Sequence, residues 1–326
     1  MKMTALFQRL NLRQSAPFLA LVLLIALGSL VHPNFLTYSN LVQNVAARTA
    51  FIAIIAIGAT FVMASGGLDL SVGSMAAFTA GAMILFLKSY EADGGALLIA
   101  EGMVLAVVVG LLCGLFNGLV VTWGRIEPFI ATLGSMVILR SLFTWLANGG
   151  SLSISPDLKD IYAPVYTGNV FGLPIPVLVV LVVGAVAALV LYKTPFGRHV
   201  LAVGSNEEVA RYSGIAIWRV KLLTYVIQGL CVAIAVILYV PRLGSANSAT
   251  GLYWELQAIT AVVVGGTLLK GGRGRIWGTL AGAFFLEIIG NILTLSNVNV
   301  YLIGAVQGAI IIIAMLIQRG LYRREI

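Results

Sequence analysis

Apolar residues run along this chain in blocks too long for the helices of a soluble core, and short polar or glycine-rich segments separate them. Taking roughly 17–25 predominantly apolar residues as enough to cross a bilayer, the pattern predicts ten helices. They lie near residues 17–32, 44–65, 72–88, 97–122, 128–147, 175–193, 220–240, 254–270, 277–295 and 300–318. Lipid offers no partner to an exposed backbone N–H or C=O, so such spans are helical. The expected fold is an all-α polytopic membrane protein, with residues 1–326 forming a single transmembrane domain. The run from Pro17 to Val31 is short enough to imitate a signal-peptide core. The following Gly28-Ser-Leu-Val-His-Pro33 lacks a small-x-small cleavage site, so it reads as an uncleaved first helix.

Two interruptions fall between long apolar runs. Residues 66–74 read Gly-Gly-Leu-Asp-Leu-Ser-Val-Gly-Ser. A break at membrane depth has to be buried in protein or line a wet cavity. A carboxylate there, Asp69, is costly and by default functional. Ser71 or Asp69 is placed to cap the helix that restarts at Val72; the plainer alternative makes Asp69 a cap and a lock on the fold. The second interruption, 270–276, echoes the first. Val62 to Gly81 passes through Gly66-Gly67 and Gly73 into a small-residue helix, and Val262 to Gly282 passes through Gly265-Gly266, Gly271-Gly272 and Gly278 into another. The echo over 62–82 and 262–282 suggests a weak internal repeat, although close helix packing also selects small residues. In a repeat, both copies run in the same direction and the path lies between them.

Charge adds sidedness. The mean hydropathy of +1.02 and a charged fraction of only 10% belong to a membrane protein rather than a soluble globule. The net charge of +8 does not point to nucleic acid, because the basic residues lie in short segments between spans and not on one amphipathic face. With the N-terminus inside, the inner segments hold Lys2, Arg9, Arg13, Arg125, Lys193, Arg198, Arg211, Arg219, Lys221, Lys270, Arg273, Arg275, Arg319, Arg323 and Arg324. The outer segments hold only Lys88, Lys159 and Arg242. That asymmetry sets both termini in the cytoplasm. Cys113 and Cys231 sit inside apolar runs and read as small buried hydrophobes, not a disulfide.

The chain offers little for chemistry of its own. Nowhere does Gly-Lys precede Ser or Thr, so there is no Walker A loop. His32 and His199 fall on opposite sides of the membrane, which leaves no metal set, and no Gly-x-Ser-x-Gly elbow occurs. Of the two long connections, 148–173 is external and carries Pro156 and Pro164, while 194–219 is cytoplasmic. Within the latter, Gly204-Ser-Asn-Glu-Glu-Val-Ala-Arg-Tyr-Ser-Gly-Ile215 encodes a short exposed helix. Ser205 or Asn206 caps it, Glu207 and Glu208 fill its first turn, Arg211 follows at i,i+4 and i,i+3, and Gly214 ends it. Such a helix suits docking in a partner's groove; its mixed charge disfavours a lipid-surface role.

Several blocks resemble one family in order along nearly the whole chain. Residues 66–74, Pro128-Phe-Ile-Ala-Thr-Leu-Gly134, Gly204 to Ile215, Glu255 to Thr267, Gly271-Gly-Arg-Gly274 and Trp277-Gly278 are similar to the signatures of permease subunits of ribose-type ABC sugar importers. The resemblance implies a bacterial inner-membrane protein working beside a second permease subunit, as a homodimer or with a paralogue. It also implies two cytoplasmic ATP-binding subunits that carry ATP-Mg, a periplasmic sugar-binding protein, and no cofactor in this chain. Gly204, Asn206, Glu207, Glu208, Arg211 and Gly214 match the stretch expected to couple to the ATPase. Four positions depart from the family pattern: Gln257 replaces Asp, Thr260 Ala, Glu127 Asn, and Ser141 Gly. None lies on the coupling helix, so they bear on which sugar passes.

Polar residues within spans are the candidates for the path or gate: Asn44 and Arg48 at i,i+4 on one face, Asp69, Asn117, Thr132, Asn291 and Gln307. The alternative for each is an interhelical hydrogen bond, worth about 0.6 kcal/mol. Arg140 and Glu287 lie roughly 15–18 Å deep by residue count at 1.5 Å per residue. Opposite charges at matching depth predict a pair, since an unpaired one is costly. Arg273 and Arg275 read as headgroup anchors worth about 1 kcal/mol each, a tight turn near the ATPase being the alternative. The function expected is import of a pentose or similar monosaccharide by alternating access. Its rivals are an ion-coupled transporter with Asp69 or Glu287 carrying a proton, and a membrane enzyme for lipid-linked sugar.

Overall fold

The computed structural model describes residues 12–90 and 94–299, and beyond them residues 302, 304–306, 308–310 and 312–313. In chain order the helices are α1 (Leu12–Val31), α2 (Ser39–Ala64), α3 (Val72–Ser89), α4 (Ala96–Thr122), α5 (Pro128–Leu146), α6 (Pro156–Tyr162), α7 (Pro164–Thr167), α8 (Ile175–Lys193), α9 (Pro195–Ser205), α10 (Glu207–Tyr212), α11 (Ile217–Leu243), α12 (Trp254–Val264) and α13 (Ile276–Leu295). Among the described residues, seven of these, α2, α3, α4, α5, α8, α11 and α13, are long and apolar enough to cross a membrane. The fold is all-α and polytopic, as the hydrophobic pattern requires.

The expected helix boundaries hold for these seven and shift elsewhere. The span expected at 254–270 is the 11-residue helix α12, because the chain leaves the helix at Gly265. The first run is apolar only over Pro17–Val31. The span expected at 300–318 lies for the most part outside the described residues, although the described positions within it are helical. The start of α2, Ser39–Ala46, is π-wound before the α-helix continues from Ala47. The connection 194–219 holds more structure than the single short helix expected, because Thr194 accepts a hydrogen bond from the N–H of Gly197 and starts α9.

Burial sorts the helices. The most apolar window of α2 is 83% buried, whereas those of α5 and α8 are 28% and 33% buried. So α2 is the central post, packed by α8, α11, α12 and α13, and α5 lies at the rim against α3. The closest seam joins α4 to α11. There Gly110 and Gly229 meet backbone to backbone, and a β-carbon on either would collide with the other's carbonyl. Small residues at such crossings let membrane helices gain dispersion contact.

Two short strand pairs close the end expected to be external. β1 (Ser151–Ser153) runs antiparallel to β4 (Ser245–Asn247), and β2 (Asn169–Val170) to β3 (Leu173–Pro174). The buried Tyr162 ties α6 to α11 by donating to the Ile237 carbonyl at 2.8 Å. Burial pushes its phenol up from the ordinary value.

The two interruptions share one hydrogen-bond pattern where the incoming helix ends. After α2, Gly66 N–H bonds to Met63 O and Gly67 N–H to Val62 O, both at 2.9 Å, with Gly66 at φ +83°. After α12, Gly266 N–H bonds to Val263 O at 2.9 Å and Thr267 N–H to Val262 O at 3.1 Å, with Gly266 at φ +87°. These are Schellman ends, which need a left-handed residue that glycine supplies without strain. The outgoing chains differ. α13 folds back on α12, with Gly278 against Gly265, whereas α3 leaves α2 and packs on α4, α5 and α11.

Candidate functional site

The first break carries a buried polar cluster. Asp69 is 5% exposed and Ser71, Asn117 and Thr132 are fully buried. The Asp69 Oδ1 accepts from the Ser71 N–H at 2.8 Å and from the Ser71 hydroxyl at 2.6 Å. This is a local turn lock. Ser71 occupies the N-cap position of α3 but makes no side-chain cap bond, and Asp69 bonds to Ser71, so the expected side-chain cap is corrected to a lock on the turn before the helix. The Asn117 amide donates to the Ser71 hydroxyl at 2.8 Å and reaches Asp69 Oδ2 at 3.4 Å. Its own carbonyl oxygen has no partner among the described residues. No basic side chain of the described residues forms an ion pair with Asp69. Thr132 bonds back to the Pro128 carbonyl at 2.8 Å and lies 3.5 Å from the Leu68 carbonyl. Tyr225, which the sequence reading did not single out, donates to the same Leu68 carbonyl at 3.1 Å. Asp69, Asn117 and Thr132 are thus brought together around one unwound segment.

The connection bearing α9 and α10 reaches this region through backbone. Gly204, at the end of α9, lies against the Ala64 carbonyl where α2 ends and beside Gly272 in the second break, and Gly271 lies beside Gly66. The Gly272 N–H donates to the Ala64 carbonyl at 2.9 Å. Both breaks and the connection therefore meet at one junction without side chains between them. Beyond it, Asn206 caps α10 by accepting from the Val209 N–H at 3.1 Å. Glu207 pairs with Arg211 at 3.5 Å and with Lys221 of α11 at 2.5 Å, while Glu208 is exposed. Gly214 sits at φ +79°. The capped helix read from the sequence is present with its cap, its i,i+4 pair and its glycine stop; the Lys221 tether was not foreseen. A cavity of about 590 Å3 separates α10 from the α4–α5 connection, with Arg125, Glu127, Glu207, Arg211, Trp218 and Lys221 on its walls.

The expected Arg140–Glu287 pair is not formed. Glu287 pairs with Arg48 at 3.5 Å, and Arg140 donates through Nη1 to the carbonyls of Ser248 at 2.9 Å and Thr250 at 2.5 Å. Residue count gives depth but not lateral position: α5 packs on α3, whereas α13 packs on α1, α2 and α12. Near the Arg48–Glu287 pair, Arg242 lies 5.8 Å from the ring centres of both Phe51 and Tyr166. Asn44 is exposed on the π-wound turn before Arg48. Asn291 exchanges two hydrogen bonds with Asn40, at 2.9 and 2.8 Å, joining α13 to α2. Gln307 lies outside the described residues.

Residues 41–315 match the family described as branched-chain amino acid transport system / permease component. The chain is 37% identical over 300 residues to the ribose import permease protein RbsC of Haemophilus influenzae, covering 92% of this chain and 91% of that one. It is 38% identical over 312 residues to RbsC of Escherichia coli strain K12, covering 95% of each. It is 34% identical over 298 residues to the L-arabinose transport system permease protein AraH of the same organism, covering 91% and 88%. A family match over residues 41–315, with relatives aligned along nearly their full lengths, means that this chain belongs to the branched-chain amino acid transport system / permease component family and is a transport permease, not an enzyme.

Proposed function

We propose that this chain is the membrane-spanning subunit of an ATP-driven importer that admits ribose or a similar monosaccharide across a bacterial inner membrane. Relatives named for import of ribose and transport of L-arabinose and D-allose support the sugar class. They also favour ATP-driven import over an ion-coupled carrier. The observation that carries the mechanism is the backbone junction of Gly204, Ala64 and Gly272.

Two ATP-binding subunits, loaded with ATP-Mg, dock on α10 from the cytoplasm. Their closure moves α10, and the Glu207–Lys221 pair holds that short helix to α11 so that it moves as part of the bundle. Motion of α9 and α10 presses through Gly204 on the ends of α2 and α12 together. The Asp69–Ser71–Asn117 lock keeps the first break in one conformation, so the displacement passes to α3 and not into unwinding of the turn. A second permease subunit supplies the facing half of the path, and a periplasmic sugar-binding protein delivers to the outer end. Lipid surrounds the assembly. The matching Schellman ends after α2 and α12 support an ancestral repeat whose two breaks now respond to a single lever.

The test is purification of the tagged chain from its native membrane in mild detergent, followed by vanadate-sensitive ATP hydrolysis. Co-purifying ATPase whose stimulation by loaded binding protein disappears on replacing Glu207, Glu208 and Arg211 by Ala supports the reading. A folded chain with no associated ATPase refutes it.

A further inference from the structure

The outer half of α5 carries a polar stripe that lipid cannot accommodate. On the helix face that holds the exposed Gly134 and Ile138 near its inner half, Ser141 and Trp145 are also exposed toward its outer end, and Asn148 follows, exposed, in the turn just beyond the helix. Arg140 and Thr144 flank them one residue away. Together these side chains line a cavity of about 450 Å3. Trp145 is 72% exposed there. Ser141 and Asn148 make no side-chain hydrogen bond among the described residues. Burying the free Ser141 hydroxyl and the remaining guanidinium donors of Arg140 in hydrocarbon costs several kcal/mol in all. This face therefore turns to water, to a polar cargo or to a facing subunit.

We infer that this stripe is a monosaccharide subsite on the outer half of the translocation path, with Trp145 as the stacking platform. The inference rests on the reading of the chain as a sugar permease. A pyranose or furanose presents an apolar C–H face and a rim of hydroxyls. An indole ring covers the first and the convergent polar groups meet the second. Arg140 is already fixed for the task. Two hydrogen bonds from its Nη1 to the Ser248 and Thr250 carbonyls hold the guanidinium still. That leaves three of its five N–H donors uncommitted. The carbonyls are themselves rigid. Strand β4 is paired to β1, Asn247 N–H bonds to the Thr250 hydroxyl at 3.0 Å, and Ala249 N–H bonds to the Asn247 carboxamide at 2.9 Å. The site is an open hollow along α5 and the turn after it, with Arg140 braced by this pinned loop, and it holds a sugar without enclosing it. A conducting path needs just such weak retention. Ser141 stands where the family pattern has Gly, so it adds a hydroxyl to the site.

Two arms test this in cells carrying the whole transporter. The first measures initial uptake of radiolabelled D-ribose, normalised to the chain present in the membrane. Trp145→Leu keeps apolar bulk and removes the aromatic face, and uptake falls at least tenfold; Trp145→Tyr stays within about threefold of the parent. The second places single cysteines for a charged, membrane-impermeant thiosulfonate reagent, the chain's own Cys113 and Cys231 being buried. Ser141→Cys and Asn148→Cys react, and Val186→Cys, on the exposed apolar face of α8, does not. Uptake by Trp145→Leu equal to the parent overturns the inference, as does reactivity at 141 and 148 no greater than at 186. Disulfides between two copies at position 141 overturn it too, making the stripe a subunit contact. If the parent takes up none of D-ribose, L-arabinose and D-allose, the sugar-permease reading itself falls and the subsite with it.

Discussion

Replacing Gly204 by alanine sets two effects of opposite sign against each other. Gly204 is the penultimate residue of α9, where alanine is favoured over glycine by up to about 1 kcal/mol. Propensity alone therefore predicts a more stable chain. The junction predicts the reverse. A β-carbon at 204 would stand inside van der Waals contact with the Ala64 carbonyl oxygen and 2.5 Å from the Gly272 nitrogen. Those two atoms share a 2.9 Å hydrogen bond, and both are backbone, so neither swings aside as a side chain would. Opening that bond around the buried Ala64 costs about 1–3 kcal/mol. Moving three packed segments apart costs about 1–3 kcal/mol more. After subtracting the helix term, Gly204→Ala is destabilising by about 3 kcal/mol, with the strain placed where α9 meets both breaks.

Gly290→Ala is the matched control, because a β-carbon there meets nothing within 4 Å. It tests the helix term alone and raises stability by up to about 1 kcal/mol. Apparent melting temperature in detergent measures the first quantity for both variants. The second is the ratio of sugar imported to ATP hydrolysed in proteoliposomes containing the full transporter, which falls for Gly204→Ala and not for Gly290→Ala. If Gly204→Ala melts at or above the parent temperature and keeps the parent ratio, the junction bears no load and the lever described above is wrong.

Three further outcomes follow from the same contacts. Reversing Arg48 to Glu or Glu287 to Arg alone lowers transport, and the double reversal restores most of it. The pair is partly exposed, so its coupling energy is about 0.5–1 kcal/mol; Arg140→Glu combined with Glu287→Arg restores nothing. Asn40→Leu and Asn291→Leu each destabilise by about 1–3 kcal/mol, since each strands a paired amide. The double variant melts closer to the parent than either single one. Asn206→Ala removes the cap of α10 at a cost of about 1 kcal/mol to that helix. It lowers binding-protein-stimulated ATP hydrolysis while the chain's melting temperature changes little, because α10 is only six residues long and buries only Ala210.

What could be read from the sequence was what is local along the chain. The spans follow from hydrocarbon length, and the helix ends at 64 and 264 from glycines that supply a left-handed residue. The capped α10 follows from Asn206, the Glu207–Arg211 spacing and Gly214. What could not be read was lateral. Glu287 and Arg140 share a depth, but helix neighbours are chosen by small-residue seams such as Gly110 against Gly229, and these set α13 beside α2 and leave α5 at the rim. The Lys221 tether to Glu207 and the Tyr225 bond to Leu68 were invisible for the same reason: each joins residues 14 and 157 positions apart, across a fold the pattern does not order.

The same limit changes how a polar residue inside a membrane helix is to be weighed. Thr132 and Asn291 are buried, and each gives a hydrogen bond to the helix or the facing amide it holds. A polar group spent in this way stabilises one arrangement of helices and has little left to offer a passing solute. Ser141 on α5 and Asn148 in the turn just after it are the opposite case, unremarkable by depth or spacing yet exposed with no side-chain hydrogen bond among the described residues. Since unsatisfied polar groups facing lipid are costly, their exposure has to be answered by water, cargo or a facing subunit. Free hydrogen-bonding capacity, and not polarity alone, is therefore the mark of the path. On that criterion the outer half of α5 ranks ahead of Asn291, and Asp69, with one oxygen committed to the Ser71 lock, is proposed to act through the shape of its turn.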